Sequence, residues 1–180
     1  MNKELFHSLE GKNIYFKPLK TEDAHKVHDY ASDKEVKKYI GWNLMKSLEE
    51  TTEFVRTMIK REEADTHLYA SVALKSTDEV IGTVMLFNFD KIANKAEIGY
   101  VFHKNHWGKG YGADSLSLVS DFAFESLKLH KLHATVIDAN IGSAKILEKN
   151  GFQLEGNLKD HFYIEDQYYG ALLYGKFNSK

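Results

Sequence analysis

Residues Glu97 to Ala113, EIGYVFHKNHWGKGYGA, place a strand, a glycine-rich turn and the start of a helix in immediate succession. Gly108, Gly110 and Gly112 stand at alternate positions, which leaves backbone N–H groups unobstructed at the positive end of that helix. A loop of this kind holds a phosphate or pyrophosphate. The competing use of the glycines, shaping a tight turn, leaves the same strand, turn and helix in place, so the chain must combine sheet and helix.

The same loop also fits the dinucleotide pattern G-x-G-x-x-A at Gly108, Gly110 and Ala113. That fingerprint belongs after the first strand of a doubly wound parallel sheet, with an acid about 20 residues further on. Here it follows a meander, only 67 residues remain after it, and His130 and Lys131 occupy the neighbourhood of the ribose acid. A nicotinamide site is therefore a poor fit.

The flanking sequence divides by period. Asn13–Leu19 reads as a strand. Thr21 offers an N-cap to a helix with Glu22 and Asp23 in its first turn and with Ala24, Val27, His28 and Ala31 on one face. After an irregular stretch around Ile40, Gly41 and Trp42, Ser47 and Glu50 have capping-box spacing, and a second helix runs to about Glu63 on Thr51, Phe54, Val55, Met58 and Ile59. Leu68–Leu74, Val80–Phe89 and Ala96–Phe102 are rich in β-branched and aromatic residues and form an antiparallel meander, with a turn at Ser76 to Glu79. Gly112 to Leu127 is helical, Lys131–Ile137 a strand, Ile141–Lys149 a helix closed by Asn150-Gly151, and Phe152–Glu155 a strand. Tyr168–Phe177 closes the sheet, with His161–Ile164 as a hairpin partner across Glu165-Asp166. The predicted order is β-α-α-β-β-β-α-β-α-β-β, an α+β chain with helices on the faces of a mixed sheet.

One proline, no low-complexity linker and no internal repeat make one continuous domain over residues 1–180 the expectation. Twenty-four Lys and Arg against 26 Asp and Glu give a net charge of −2, without the basic excess of a nucleic-acid binder. Cysteine is absent, which excludes disulfides, a thiolate zinc site and a cysteine nucleophile. The N-terminal residues lack the apolar stretch of a secretory signal, and no uncharged apolar run approaches the ~18 residues of a membrane span, so a soluble cytoplasmic protein is expected. The pairs His103/His106 and His130/His133 have H-x-x-H spacing, but the first flanks the phosphate loop and the second lies at a helix-to-strand junction without nearby carboxylates, so no metal site is expected.

The run WGKGYGA at 107–113 resembles the acetyl-CoA signature Q/R-x-x-G-x-G/A of the GNAT superfamily of N-acetyltransferases. The segment DANIGSAKILEKNGF at 138–152 resembles that family's second cofactor segment, and the element order matches over nearly the whole chain, which implies the family's splayed, mostly antiparallel sheet. Within the family the chain resembles the branch acetylating ribosomal-protein serine or alanine N-termini and the spermidine acetyltransferases, which share an ending like Asp160–Tyr168. The resemblance implies that the amides of Gly108, Lys109, Gly110, Tyr111, Gly112 and Ala113 hold the pyrophosphate of acetyl-CoA. Tyr100, Val101 and Phe102 would pair with the pantetheine arm like an added strand, and Asn140 would bind that arm through its side chain. It also implies the family's frequent homodimer. Trp107 departs from the general signature, as it does in the ribosomal branch.

Acetyl transfer to an amine needs a neutral nucleophile, donors for the developing oxyanion and a proton for the leaving thiolate. Deprotonation at pH 7 costs about 1 kcal/mol for an α-amine and about 4.6 kcal/mol for a lysine, so an N-terminal acceptor needs little help from a base. Glu97, at the start of the acetyl-CoA strand, is the candidate base, directly or through water; its competing role is a strand-end carboxylate paired with a lysine or an amide. The N–H groups near Val101 are the candidate oxyanion donors.

Many relatives carry a tyrosine acid seven residues after Asn140, where this chain has Leu147. Ser143 matches the serine acid proposed for the ribosomal branch, and it equally suits a first-turn hydroxyl. Tyr100, Tyr163 and Tyr168 are nearby phenols, although strand tyrosines more often serve packing. The expected reaction is direct transfer from acetyl-CoA to a primary amine, first a ribosomal-protein α-amine, then a polyamine or antibiotic amine. Loss of the phenol at 147 also leaves open an acetyl-CoA sensor without turnover. The first two helices, the Ile40–Asn43 segment and the Phe162–Tyr168 turn would flank the acceptor. Glu49, Glu50, Glu62, Glu63 and Asp65 could draw a cation or simply form a solvated helix face.

Overall fold

The structure, a computed structural model, describes residues 1–40 and 44–179. A short helix, α1 (Lys3–His7), precedes strand β1 (Ile14–Pro18). A 3₁₀ turn at Thr21–Asp23 leads into α2 (Ala24–Ala31), followed by α3 (Lys34–Lys37) and α4 (Leu48–Glu63). The meander β2 (Leu68–Leu74), β3 (Val80–Asp90) and β4 (Lys95–Phe102) comes next, and then α5 (Tyr111–Asp121), which loosens into a π turn at Phe122–Ser126. The chain finishes with β5 (Lys131–Ile137), α6 (Ile141–Lys149), β6 (Gln153–Ile164) and β7 (Gln167–Phe177).

The expected α+β order is present, with differences at its margins. Helices α1 and α3 are additions; each is too short for a periodic apolar stripe and is nucleated by a cap, Asn2 accepting from Leu5 N and Asp33 from Glu35 N and Val36 N. Thr21 is not the cap of the helix that follows it. Asp23 Oδ2 accepts from Lys20 N at 3.1 Å and closes a 3₁₀ turn instead. In α4 the Ser47 hydroxyl accepts from Glu50 N, while Glu50 reaches back to Lys46 N at 2.7 Å, one residue beyond a standard capping box. The two expected C-terminal segments, Phe152–Glu155 and His161–Ile164, belong to one continuous β6 interrupted by bulges. The expected break at Glu165-Asp166 is the tip of the β6–β7 hairpin, where both residues have positive φ, 50° and 61°.

All seven strands form one sheet in the order β1-β2-β3-β4-β5-β7-β6. Every neighbouring pair is antiparallel except β4 and β5, which run parallel and share only three rungs, Lys95 with Lys131, Ala96 with Leu132 and Glu97 with His133. Beyond Glu97 the two strands part, β4 staying with β3 and β5 with β7. The result is a V-shaped opening in the middle of the sheet.

The sheet separates two apolar layers. On one face α5 and α6 bury Leu116, Val119, Phe122, Ala144 and Leu147 against Ile98, Phe102, Leu132, Ala134 and Val136. On the other, α2 and α4 bury Val27, Tyr30, Val55 and Met58 against Tyr69 and Val101. Each fully buried Leu or Val of these layers contributes roughly 1.5–3 kcal/mol relative to exposure, so both walls of the V are held rigidly.

Candidate active site

The glycine loop enters the opening at its wide end. Gly110 has φ 87° and is the N-cap of α5, and Gly108 has φ 72°; a Cβ on either would project into open space. None of the amides from Gly108 to Ala113 donates a hydrogen bond among the described residues, so all of them face outward at the positive end of an 11-residue helix. Gly112 serves packing instead, since a Cβ there would come within 2.9 Å of Ile146 Cδ1, and its absence sets the close approach of α5 to α6. Trp107, at the signature's Gln or Arg position, donates its indole N–H to Phe102 O at 2.8 Å and ties the loop to the end of β4.

His103 N donates to Ile81 O at 2.9 Å. Counting back along an antiparallel ladder, in which alternate residues face the partner strand, the amides of Tyr100 and Phe102 point away from β3 into the opening. No strand pairs with them there. These two amides flank Val101, whose side chain packs into the α2/α4 layer.

Asn140 caps α6, its Oδ1 accepting from Ser143 N at 3.1 Å. The carboxamide oxygen is thereby occupied, and only Nδ2 remains to donate outward. Ser143 also meets Tyr100: the phenol lies 2.8 Å from Ser143 Oγ and donates to Ser143 O at 3.2 Å. Burial pushes the Tyr100 hydroxyl up to about 12, against the opposing effect of its bond to Ser143, so it stays protonated at neutral pH. Leu147 is fully buried in the α5/α6 layer. The phenol beside the first turn of α6 is that of Tyr100 on β4.

On the opposite face, Glu97 sits at the last rung before the strands part. It lines a cleft of about 330 Å³ with Thr135 and Ile137 of β5, His161 and Phe162 of β6, and Tyr39. Its Oε2 accepts from Asn88 Nδ2 at 2.9 Å, and no lysine pairs with it among the described residues. His161 and Phe162 reach the cleft because β6 carries a bulge between Leu158 and Phe162, with Asp160 at φ 49°.

Of the flanking features expected around an acceptor, residues 41–43 lie outside the described residues. The acidic run of α4 is engaged elsewhere. Glu62 accepts from His7 and from Tyr69 N, Asp65 pairs with Lys3, and Glu50 serves its own helix, so these carboxylates do not line the cleft. Among the described residues no group of three or more metal-ligating side chains occurs. His103 and His106 form a turn at the loop, His103 Nδ1 accepting from Asn105 N and His106 reaching Glu79 at 3.4 Å.

Comparison with known proteins identifies the family of this fold. The family described as "Acetyltransferase (GNAT) domain" matches residues 13–153. The chain belongs to the GNAT acetyltransferases. It is 35% identical over 174 residues to the probable N-acetyltransferase YjcK of Bacillus subtilis, covering 92% of this chain and 96% of that protein. Among solved structures, the ribosomal-protein-S5-alanine acetyltransferase of Vibrio fischeri superposes with a TM-score of 0.83 at 23% identity, covering 96% and 97% of the two chains. The spermidine N-acetyltransferase of Vibrio cholerae, in complex with CoA and spermine, gives 0.83 at 23% identity over 94% and 98%. This GNAT chain is accordingly an acetyl-transferring enzyme with an N-acetyltransferase activity. Its amine acceptor is a separate question.

Proposed function

We propose that the protein transfers an acetyl group from acetyl-CoA directly to a primary amine, and that the acceptor is the N-terminal α-amine of a protein, a ribosomal protein first. Acetyl-CoA would supply the activated acyl group. The free amides of 108–113 suit its pyrophosphate, and the outward amides of Tyr100 and Phe102, with Asn140 Nδ2, suit the arm that leads the thioester into the V. The same two amides then lie where negative charge develops on the carbonyl oxygen.

Glu97 would take the proton of the attacking amine, directly or through one water. Ser143 Oγ, backed by the protonated Tyr100, would return a proton to the departing sulfur. With a thiol pKa near ~8.5 the demand on that acid is modest. With no cysteine in the chain, transfer without a covalent acetyl-enzyme is the simplest route.

The observation that carries the acceptor assignment is that Glu97 is the one carboxylate among the described lining residues of the cleft. A polyamine presents several cations about one to two carbon chains apart and calls for several acids, whereas an α-amine presents one charge. The ring walls from Tyr39, His161 and Phe162 suit the first side chain and backbone of a peptide.

CoA release should be followed from acetyl-CoA with peptides beginning in Ser or Ala, spermidine, a lysine peptide and an aminoglycoside. Turnover with the α-amine peptides and little with spermidine is the expected result. Preference for spermidine would overturn the acceptor assignment, and tight acetyl-CoA binding with no release across the panel would favour a sensor.

A further inference from the structure

The Glu97–His133 rung is the last shared by β4 and β5, and residues directly opposed across a parallel pair project to the same face. Leu132, Ala134 and Val136 of β5 point into the α5/α6 layer, so His133 and Thr135 stand on the acceptor side beside Glu97. His133 is half-buried and makes no side-chain hydrogen bond among the described residues. Its ring borders a second cavity of about 190 Å³, open to solvent, and Thr135 borders both that cavity and the acceptor cleft. A carboxylate in the cleft thus has an imidazole on the facing rung of the neighbouring strand, and that imidazole borders a cavity open to solvent.

We infer that His133 is a relay that accepts the substrate's proton from Glu97 and passes it to water through the second cavity. The inference rests on the reading of Glu97 as the base. The balance starts from the ammonium: one proton passes to a Glu97 oxygen, through water to a ring nitrogen of His133, and on to solvent or buffer; as the N–C bond to the acetyl group forms and the C–S bond breaks, the nitrogen loses a second proton, which makes good through solvent the one the Ser143 side gives up. The leaving sulfur takes its own proton from the Ser143 side.

The chemistry explains why a carboxylate would need such a neighbour. Proton transfer from an α-ammonium to an ordinary carboxylate is unfavourable by about three thousandfold, and an imidazole, with an ordinary pKa of ~6.5, is the better-matched acceptor even when held somewhat below that value. The groups facing His133 are Glu97 and Lys95 from β4, Lys131 from its own strand, Glu155 from β6 and, on the cavity wall, Tyr174 from β7. Lys131 is paired with Glu155 at 2.6 Å, which leaves Glu97 and Lys95, of opposite sign, as the charges beside the ring without an ion-pair partner among the described residues. Burial, the largest influence on the ring, holds it below its ordinary value, with Glu97 opposing, so the ring is neutral and able to accept a proton at pH 7.

The test uses His133→Asn and His133→Gln, amides that keep a polar group at the position of one ring nitrogen or the other, beside Glu97→Gln. Turnover of the amine preferred in the acceptor panel is measured at pH 6.5 in dilute buffer and again with added imidazole. The expected result is a fall in kcat of about tenfold or more for both His133 variants, with KM for acetyl-CoA unchanged and kcat restored in proportion to imidazole free base. An unimpaired Glu97→Gln enzyme would remove the base itself and the relay with it. An impaired Glu97→Gln enzyme beside His133 variants that keep wild-type kcat, or that lose it without imidazole rescue while binding acetyl-CoA normally, would overturn the relay alone. Should one variant fail to fold, the other carries the measurement, and the buffer dependence of the wild type gives a third: the relay requires its kcat to be independent of added imidazole.

Discussion

The Tyr100 hydroxyl and Ser143 Oγ lie 2.8 Å apart, joining β4 to the first turn of α6 across 43 residues of sequence. The pair ties β4, the strand proposed to present the thioester, to the helix that Asn140 caps. If it delivers the proton to the leaving sulfur, Tyr100→Phe and Ser143→Ala should each lower kcat by about tenfold with little change in acetyl-CoA affinity. The double variant should be no worse than the poorer single one, because the two groups act as a unit. Wild-type kcat in both variants, measured by CoA release, would assign the pair to structure alone.

For Glu97→Gln the expectation concerns pH. A base matters most where the amine is protonated, so the loss of turnover should be larger at pH 6.5 than at pH 9. An equal loss at the two values would argue for a role in holding the cleft, in keeping with the bond from Asn88.

Asn140→Ala removes both the α6 cap and the free Nδ2. The lost cap should lower stability by about 1 kcal/mol, read as a fall in Tm. Acetyl-CoA affinity should also weaken, and calorimetry that finds affinity unchanged would contradict the proposed cofactor pose.

Two glycines of the loop should respond differently to the same substitution. Gly110→Ala forces a left-handed residue at φ 87°, costing roughly 1–2 kcal/mol, and sets its methyl in the open space before the free amides. Gly112→Ala needs only a shift of the far end of Ile146. Acetyl-CoA affinity should drop severalfold or more in the first and less in the second, and the reverse order would contradict a loop that cradles phosphate.

A pH-dependent clip holds the N-terminal helix. His7 Nε2 lies 3.1 Å from Glu62 Oε1 and 2.9 Å from Tyr69 O. Burial alone would lower the His7 pKa, but the bond and charge of Glu62 outweigh it and the net shift is upward. The folded state therefore binds the proton more tightly than the unfolded chain. The stabilisation is fully present below about pH 6.5 and fades as pH rises through the raised value. The wild type should lose part of its Tm advantage over His7→Gln between pH 6 and pH 8; a constant difference would mean the ring is not charged in the fold.

Much of the framework was legible because it rests on local signals. The strand, glycine turn and helix from Glu97 onward, the meander and the Ser47 cap each depend on residues within a few positions of one another. Strand β6 was not legible as one element, since it is exposed along most of both faces and its bulges break any alternation. Helices α1 and α3 are shorter than the period that reveals a helix. Candidates Glu97, Asn140 and Ser143 came from spacing and resemblance, and all three stand around the V. The Tyr100–Ser143 bond and the Glu97–His133 rung depend instead on tertiary register, which one strand's sequence does not specify.

The V in the sheet leaves backbone donors without partners in the middle of the fold, a place where most proteins complete their ladders. A molecule that lies along that edge finishes the ladder, so it acts as a missing piece of the architecture as well as a reactant. By mass action, a donor present at a hundred times its dissociation constant adds about 2.7 kcal/mol to the folded state. A donor lying in the V as proposed would therefore raise the melting temperature of the protein as its concentration rises.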